Sequence, residues 1–331
     1  MDNLKDKNVL ITGGAGFIGS HLVDRLLPFC KKITVLDNFD IYYDPKLKQQ
    51  NIKKHLTAEN YSLVQGDIRS NEYLETIFRQ TKYDIVIHLA ALAGVRPSLK
   101  NPTDYLSVNV LGTQRLIDKI IKYANQAKLI FASSSSVYGE TDSTSFSETD
   151  NVNSPISPYG ASKITGELLC HTAFKNHNLN SIALRFFTVY GPRQRPDLAI
   201  NKFCQCILKN QPILMYGDGS SIRDYTYIDD IVDGIIAAIN YDKTKFEIIN
   251  LGGGHPLSLR DMISTIETVL NKSAIVIKYD KQIGDMDKTI SNIDKAKLLL
   301  GWEPKTTFKD GLTNFVDWLE NDLNLDLVTR V

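Results

Sequence analysis

Cysteine pairs, long apolar runs and an excess of charge are all missing from this 331-residue sequence. Its four cysteines (Cys30, Cys170, Cys204 and Cys206) form no Cys-x-x-Cys pair, which favours reduced thiols in a cytoplasmic protein. The 38 basic side chains equal the 38 acidic ones in number, so we expect no electrostatic attraction to nucleic acid or membrane lipid. The polar N-terminus contains no apolar run long enough for a signal peptide or a membrane span.

Metal-ligand motifs are also missing. The sequence contains no His-Glu-x-x-His, no Walker loop and no nucleophile elbow. We therefore expect no metal, and we interpret His88, which lies in an apolar run, as a hydrogen-bonded core residue. None of the six histidines has a metal-binding spacing: His21, His55, His88, His171, His177 and His255.

Short β-branched runs alternate with longer amphipathic stretches along the first half of the chain. This alternation predicts an α/β fold, a doubly wound parallel sheet (Rossmann) with a smaller interleaved α/β lobe. We expect the larger domain to comprise residues 1–187 and 225–252, and the lobe to comprise 188–224 and 253–331. Residues 38–60 interrupt the rhythm and are predicted to form a surface insertion with a short helix. The runs predicted as strands are 8–12, 33–36, 62–65, 85–89, 129–132, 182–187 and 248–251.

A glycine-rich turn follows the first predicted strand. Gly13, Gly16 and Gly19 stand between that strand and a helix, where glycines allow a tight turn and a close approach of a dinucleotide pyrophosphate. Asp37 ends the next strand, where a carboxylate can bind a ribose diol and repel a 2′-phosphate. Since Asn38 and Phe39 supply no cation for such a phosphate, the sequence predicts NAD rather than NADP.

Tyr159 and Lys163 are four residues apart on a predicted helix and so share one face. A phenol with a pKa of about 10 needs roughly 4 kcal/mol to ionise at neutral pH. A lysine charge about 5 to 6 Å away contributes around 3 kcal/mol at an effective dielectric of about 20. After a nucleotide-binding turn and the serine-rich run 133–136, this pair predicts a catalytic tyrosine.

Five motifs together resemble the extended short-chain dehydrogenase/reductase family, and within it the nucleotide-sugar epimerases. They span the chain: Thr12 to Gly19, Ser134 to Gly139, Tyr159 to Lys163, Arg185 to Pro192 and Arg223 to Asp230. The resemblance implies that Tyr159 takes the proton of the sugar 4-hydroxyl while hydride passes from carbon 4 to NAD. Hydride then returns to the other face of the 4-keto sugar. Ser134 would hydrogen-bond the reacting oxygen, and Lys163 would bind the nicotinamide ribose and lower the pKa of Tyr159.

The family pattern also distinguishes reactions and substrates. Lyases of this family carry an acid just after the catalytic hydroxyl, where this chain has Ser135 and Ser136. Thr188 and Gln282 resemble the epimerases that act on UDP-glucuronate and convert it to UDP-galacturonate. The alternatives are an epimerase of UDP-glucose or UDP-N-acetylglucosamine, and, more remotely, a non-catalytic NAD-binding protein, which would have lost Tyr159 or Lys163.

The resemblance assigns two sets of contacts and an assembly. A homodimer is expected through helices at about 103–124 and 159–174, with Leu106, Val110, Ile117, Ile121, Ile164, Leu168 and Leu169. The NAD contacts are Gly13, Gly16, Phe17, Ile18, Gly19, Asp37, Asn38, Asp67, Ile68, Leu89, Ala90, Ala91, Asn109, Tyr159, Lys163 and Phe186. The UDP-sugar contacts are Arg96, Ser134, Ser135, Ser136, Tyr159, Thr188, Arg193, Lys202, Arg223, Gln282 and Asp285.

Overall fold

A computed structural model describes residues 2–140, 143–254, 256–281 and 286–321. Gln282 and Asp285, expected to contact the substrate, lie outside these residues, as does His255. In the described part of the chain, no helix is both long enough and apolar enough to cross a membrane.

The described residues contain thirteen strands and twelve helices. The strands are β1 (Asn8–Thr12), β2 (Lys32–Asp37), β3 (Tyr61–Gln65), β4 (Ile85–His88), β5 (Lys128–Ser134), β6 (Asn180–Phe186), β7 (Thr188–Tyr190), β8 (Ile213–Tyr216), β9 (Ile222–Tyr227), β10 (Phe246–Leu251), β11 (Pro256–Ser258), β12 (Val276–Tyr279) and β13 (Lys288–Thr289). The helices are α1 (Phe17–Leu26), α2 (Pro45–Ile52), α3 (Asn71–Gln80), α4 (Val95–Lys100), α5 (Pro102–Leu106), α6 (Thr113–Tyr123), α7 (Pro158–His177), α8 (Ala199–Leu208), α9 (Ile228–Asn240), α10 (Leu259–Leu270), α11 (Asp294–Leu300) and α12 (Phe308–Asn321).

Seven strands form one sheet in the order β10-β6-β5-β4-β1-β2-β3, and every neighbouring pair is parallel. The order reverses between β1 and β4, which creates a crevice at the carboxyl ends of these strands. The doubly wound parallel sheet predicted from the alternating pattern is therefore confirmed.

The strands are apolar on both faces because helices cover both faces of the sheet. Val9 and Ile11 of β1 face one core, together with Leu22 of α1 and Ile235 of α9. Leu10, between them, faces a second core with residues of α3, α6 and α7. This strict alternation fixes the register of each strand, since a slip by one residue would exchange the two cores.

The smaller lobe contains β7, β9, β11 and β13 in one sheet and the parallel pair β8 and β12 in another. The domain boundary that we expected between residues 224 and 225 falls inside β9. All of β9 pairs with strands of the lobe. The next strand, β10, returns to the main sheet beside β6. The chain therefore passes between the two parts more than once, and this holds the lobe over the crevice.

The insertion forms α2 followed by a short 3-10 turn, Lys53–His55. Asp44 begins α2 by accepting a hydrogen bond from the backbone N–H of Lys46, and Pro45 occupies the first turn. The insertion packs beside α1, next to the crevice at the carboxyl ends of the strands.

Candidate active site

A cleft of about 500 Å³ opens at the carboxyl ends of the parallel strands, between the sheet and the lobe. We call the part lined by Gly13, Gly16, Gly19, Asp37 and Asp67 the glycine side. We call the part lined by Ser134, Ser135, Ser136, Thr188 and Arg195 the serine side. Every residue that we expected to contact NAD lines this cleft except Asn109, which is buried behind its wall.

On the glycine side, backbone segments approach each other too closely for a side chain to fit between them. Gly13 has φ +73°, and a Cβ at this position would lie 2.7 Å from the backbone N of Ala90. A Cβ on Gly19 would lie 2.3 Å from the carbonyl oxygen of Gly13. The first turn of α1 therefore packs directly onto the glycine loop, and Phe17, Ile18 and Gly19 of this turn line the cleft, where a helix N-terminus can bind a pyrophosphate.

Asp37 is buried at the end of β2 and accepts two backbone hydrogen bonds, from Ala15 N at 3.1 Å and Phe39 N at 2.9 Å. Burial raises the pKa of Asp37, while these N–H groups and the charge of Lys48 act in the opposite direction. A carboxylate has roughly four acceptor positions, so two remain for a ribose diol. The residues present therefore fit the adenosine end of a dinucleotide.

Lys48 is a cation that the sequence analysis did not place at this site. It comes from α2 of the insertion, lines the cleft and donates to the carbonyl oxygen of Asp40 at 2.9 Å. The preference for NAD was inferred from the neighbours of Asp37 along the chain. Lys48 reaches Asp37 through the fold instead, so the preference depends on the carboxylate of Asp37 alone.

Asp67 follows β3 and is held by its own loop. Its carboxylate accepts from Arg69 Nε at 3.0 Å and Arg69 Nη2 at 2.7 Å, and Asn38 Nδ2 lies 3.3 Å away. The hydrogen bonds from Arg69 hold the pKa of Asp67 below its ordinary value. Asp67 is therefore a fixed anion at the rim of the glycine side.

Tyr159 and Ser134 meet where α7 begins and β5 ends. Ser157 caps α7 by accepting a hydrogen bond from Gly160 N, which places Tyr159 in the first turn. The hydroxyl of Ser134 lies close enough to that of Tyr159 to oppose the rise in its pKa, and its oxygen accepts from Ser136 N at 3.2 Å. The two hydroxyl groups thus form a pair facing the cleft, with Ser135, Ser136 and Thr188 also lining it.

Lys163 shares the helix face of Tyr159, but its contacts differ from the expected ones. Its Nζ donates to the carbonyl oxygen of Ala132 at 2.7 Å and lies 5.9 Å from the centre of the Tyr159 ring. Burial raises the pKa of Tyr159, and Ser134 and Arg195 are the groups that oppose this. Burial lowers the pKa of Lys163 itself to about 8, and its expected effect on the pKa of Tyr159 stays a prediction.

Arg195 is the cation of the serine side, and the sequence analysis named Arg193 instead. Asp197 holds Arg195 in a two-pronged contact, with Nε–Oδ1 at 2.9 Å and Nη2–Oδ2 at 2.8 Å. Tyr42 of the insertion donates to Asp197 at 3.2 Å, and its ring centre lies 5.2 Å from the guanidinium carbon of Arg195. Two distant segments therefore hold this cation at the cleft.

Arg193, expected to bind the substrate, points away from the cleft. Its backbone has φ +63°, and its guanidinium bonds Asp24 at 2.7 Å and Ser20 at 3.2 Å on α1. The left-handed backbone conformation and the charge of Asp24 explain this placement. The sequence analysis named Arg193 of this short motif, and the structure places its neighbour Arg195 at the cleft instead.

Three further expected substrate contacts are not among the residues that line the cleft. Arg96 is exposed on α4 and its guanidinium carbon lies 5.0 Å from the ring centre of Tyr216. Lys202 is exposed on α8, and Arg223 Nη1 donates to the carbonyl oxygen of Ile222 at 2.8 Å. Their roles stay predictions. No cluster of metal-ligating side chains occurs within residues 2–140, 143–254, 256–281 and 286–321.

The chain is similar to a known protein family and to curated relatives over most of its length. The profile of the GDP-mannose 4,6 dehydratase family matches residues 10–315. The chain is 40% identical over 317 residues to a UDP-glucuronate 4-epimerase of Thermodesulfobacterium geofontis, covering 96% of this chain and 97% of the relative.

Two solved structures are similar over almost the whole chain. One is UDP-glucuronic acid 4-epimerase from Bacillus cereus in complex with UDP-glucuronic acid and NAD, with a TM-score of 0.89, 37% identity and coverage of 95% of this chain and 99% of that one. The other is UDP-N-acetylglucosamine 4-epimerase from Methanobrevibacter ruminantium in complex with UDP-N-acetylmuramic acid, with a TM-score of 0.87, 33% identity and coverage of 97% and 100%.

Proposed function

Because the chain belongs to the GDP-mannose 4,6-dehydratase family, within the nucleotide-sugar branch of the extended short-chain dehydrogenases/reductases, we propose that it is a NAD-dependent isomerase that interconverts UDP-glucuronate and UDP-galacturonate. The observation that carries this proposal is the serine side of the cleft. There the pair of Tyr159 and Ser134 stands beside three further hydroxyl groups and one arginine. Bound NAD would accept hydride from carbon 4 of the sugar and return it to the opposite face.

The chain's own residues manage the proton of the reacting oxygen. Tyr159 takes the proton of the 4-hydroxyl as general base and returns it when the epimer forms, and Ser134 hydrogen-bonds the same oxygen. Burial raises the pKa of Tyr159, so the phenol keeps its proton until a positive charge comes close. Arg195 already acts in that direction.

Elimination chemistry lacks its catalyst in this cleft, although the family profile is named for a dehydratase. Ser135 and Ser136 follow Ser134, in the positions where family lyases carry an acid. Serine cannot deliver a proton to a leaving hydroxyl as a carboxylic acid does. The 4-keto sugar therefore keeps its substituents and returns to an epimer.

The uronate carboxylate is held by the remaining groups of the serine side. A 4-keto uronate is a β-keto acid, which loses carbon dioxide when its carboxylate bond aligns with the carbonyl π system. Ser135, Ser136 and Thr188 supply hydroxyl donors, and Arg195 supplies a charge already fixed by Asp197. Such a site can hold the carboxylate out of alignment.

A direct experiment tests the proposal. Purified protein is incubated separately with UDP-glucuronate, UDP-glucose and UDP-N-acetylglucosamine, and the sugar proton signals are followed by NMR. We expect UDP-galacturonate to appear, with little change in the two neutral sugars. Faster conversion of a neutral sugar would assign the chain to the neighbouring epimerase class, and loss of carbon dioxide without epimer would assign it to the decarboxylases.

A homodimer is part of the same proposal. Leu106 and Leu168, two of the residues expected at the interface, are 49% and 59% exposed, and Leu111 in the neighbouring turn is 45% exposed. Ile117, also expected there, is instead packed in the core beneath the sheet. One chain has a mass of 37.2 kDa, and light scattering at micromolar concentration should give twice this mass. A mass equal to one chain would remove this part of the proposal.

The cysteines bear on where the protein is found in the cell. The four cysteines are all free thiols, and three of them are buried. Free thiols are typical of a reducing compartment, so we propose a cytoplasmic protein. Fractionation that finds the protein outside the cytoplasm would overturn this.

A further inference from the structure

A chain of buried hydrogen bonds runs behind the wall of the cleft and passes through His88. Thr12 at the end of β1 contacts His88 Nδ1 at 2.7 Å, and His88 Nε2 contacts the hydroxyl of Thr113 at 2.9 Å. Thr12, His88 and Thr113 are each no more than 2% exposed. The imidazole therefore joins the strand that leads into the glycine loop to the start of α6.

The neighbouring contacts determine which nitrogen of His88 carries the proton. The hydroxyl of Thr113 donates to the carbonyl oxygen of Asn109 at 2.5 Å, so its oxygen must accept from His88 Nε2–H. Nδ1 then accepts from Thr12, whose oxygen in turn accepts from Ala90 N at 3.3 Å. Each donor in the chain has an acceptor when His88 is neutral and protonated at Nε2.

Asn109 extends the chain to the catalytic helix. Its side chain accepts from Leu92 N at 2.8 Å and donates to Leu92 O at 2.9 Å, which fixes a residue that lines the cleft. The second amide hydrogen is donated to Ser162 Oγ at 2.9 Å. Ser162 donates to the carbonyl oxygen of Tyr159 at 2.7 Å, so the chain ends at the backbone of the catalytic residue.

Asn109 lies within a π-helical stretch, Ser107–Gly112. Such wide turns are rare and often occur at functional sites. Gly112 ends this stretch against Ile68, where a Cβ would lie 2.6 Å from a side-chain carbon. The wide turn and this close approach hold Asn109 between the cleft wall and α7.

We infer that His88 is a positioning residue: as a neutral Nε2–H imidazole it fixes the distance between the cleft wall at Ala90–Leu92 and the first turn of α7, which carries Tyr159. This inference rests on the proposed function, since the spacing matters only if Tyr159 acts on a ligand bound against that wall. Displacement of reacting groups by about 1 Å can reduce turnover by about a hundredfold. A bridge of this kind therefore affects the rate of reaction more than the binding of substrate.

The tautomer can be observed without any reaction. Protein labelled with ¹⁵N at histidine, with the His88 signals assigned by comparison with His88→Phe or with Thr113→Val, gives separate shifts for the two ring nitrogens. Burial and the charge of Lys163 lower the pKa of His88 to about 3. We expect a neutral Nε2–H ring with no titration between pH 8 and 5. A ring protonated at Nδ1, or one that titrates in this range, would overturn the inference.

Variants separate positioning from stability. Thr113→Val keeps the shape but removes the hydroxyl between His88 and Asn109, and Thr113→Ser restores it. We expect Thr113→Val to lower kcat by about 10- to 100-fold with KM for UDP-glucuronate changed less than about threefold, and Thr113→Ser to recover most of the rate. NAD retained per chain should stay the same in both variants.

The matched control is His55, another buried histidine, which bonds Asp24 at 2.5 Å away from α7. His55→Gln should lower the melting temperature but leave kcat unchanged. If Thr113→Val and Thr113→Ser have equal kcat, or if loss of rate follows loss of melting temperature in all variants, His88 is structural only. If the unmodified protein epimerises no UDP-sugar, the proposed function fails, while the ¹⁵N measurement still decides the tautomer.

Discussion

The two sides of the cleft are built in different ways. On the glycine side, the carboxylates are fixed by backbone and side-chain groups of the loops at the ends of neighbouring strands: Asp37 by Phe39 and by Ala15 of the glycine loop, and Asp67 by Arg69 two residues away. On the serine side, Arg195 pairs with Asp197 two residues away but also packs against Tyr42 from the remote insertion, and Ser134 of β5 lies beside Tyr159 of α7. A part assembled from local backbone geometry can be recognised along the chain, whereas a part assembled from distant side chains sets specificity and is hidden until the chain folds.

The most severe test removes the base from the serine side and leaves the glycine side intact. Tyr159→Phe should reduce epimerisation of every UDP-sugar by about a thousandfold or more, because no other group at Ser134 can take the proton. NAD released by heating should equal that of the unmodified protein. Lost NAD would show that the two sides are not separable.

The converse change alters the glycine side and leaves the serine side intact. Gly13→Ala forces a Cβ within 2.7 Å of Ala90 N at φ +73°. We expect retained NAD to fall by more than about tenfold, since backbone strain of about 1–3 kcal/mol adds to the clash. Gly217→Ala is the matched control, because Gly217 has φ +80° with nothing within 4 Å. Equal NAD loss in the two variants would contradict the role of close approach.

Thr188→Val tests specificity on the serine side alone. Leaving the uronate carboxylate without one hydroxyl should lower kcat/KM for UDP-glucuronate by about 5- to 150-fold, at about 1–3 kcal/mol for an unsatisfied group. Decarboxylation should rise, while turnover of UDP-glucose should not change. Thr188→Ser keeps the hydroxyl and should behave like the unmodified protein. Equal kcat/KM for UDP-glucose and UDP-glucuronate in the unmodified protein would refute the carboxylate site.

Lys163 lies between the two sides of the cleft. We expect it to lower the free energy of unfolding while being required for activity. Its pKa is lowered by burial to about 8, whereas the unfolded chain holds this proton up to about pH 10.4. Between about pH 8 and about pH 10.4 the folded state binds fewer protons than the unfolded chain, so the free energy of unfolding rises with pH. Below about pH 8 the full cost of burying the charged lysine remains.

Lys163→Met removes that penalty. We expect the variant to unfold at higher urea concentration than the unmodified protein at pH 7, by about 1–3 kcal/mol in the free energy of unfolding, and to be inactive. The difference should narrow as pH rises from 8 to 10. A variant that is less stable at pH 7 would mean that the bond to Ala132 outweighs burial.

The smallest effect is expected where the insertion touches the serine side. Tyr42→Phe removes the hydrogen bond to Asp197 but keeps the ring beside Arg195. Tyr42 is 41% exposed, so this bond contributes about 0.5–1 kcal/mol, which gives a two- to fivefold rise in KM for UDP-glucuronate. Tyr42→Ala should raise KM further, because the ring is lost as well. Unchanged KM in both variants would show that the insertion does not affect substrate binding.

The sequence determined the parallel sheet, the glycine loop with Asp37, and the helical pair of Tyr159 and Lys163. Each of these follows from neighbours along the chain, since strand alternation, turn geometry and helix spacing are short-range properties. Tertiary structure decided that Arg195 rather than Arg193 faces the cleft, because Asp24 of the distant helix α1 binds Arg193, while Arg195 stays paired with Asp197 two residues away. It also decided the positions of Lys48 and Tyr42, and the proton on His88. These depend on atoms brought together from separate elements, and no pattern along the chain carries that information.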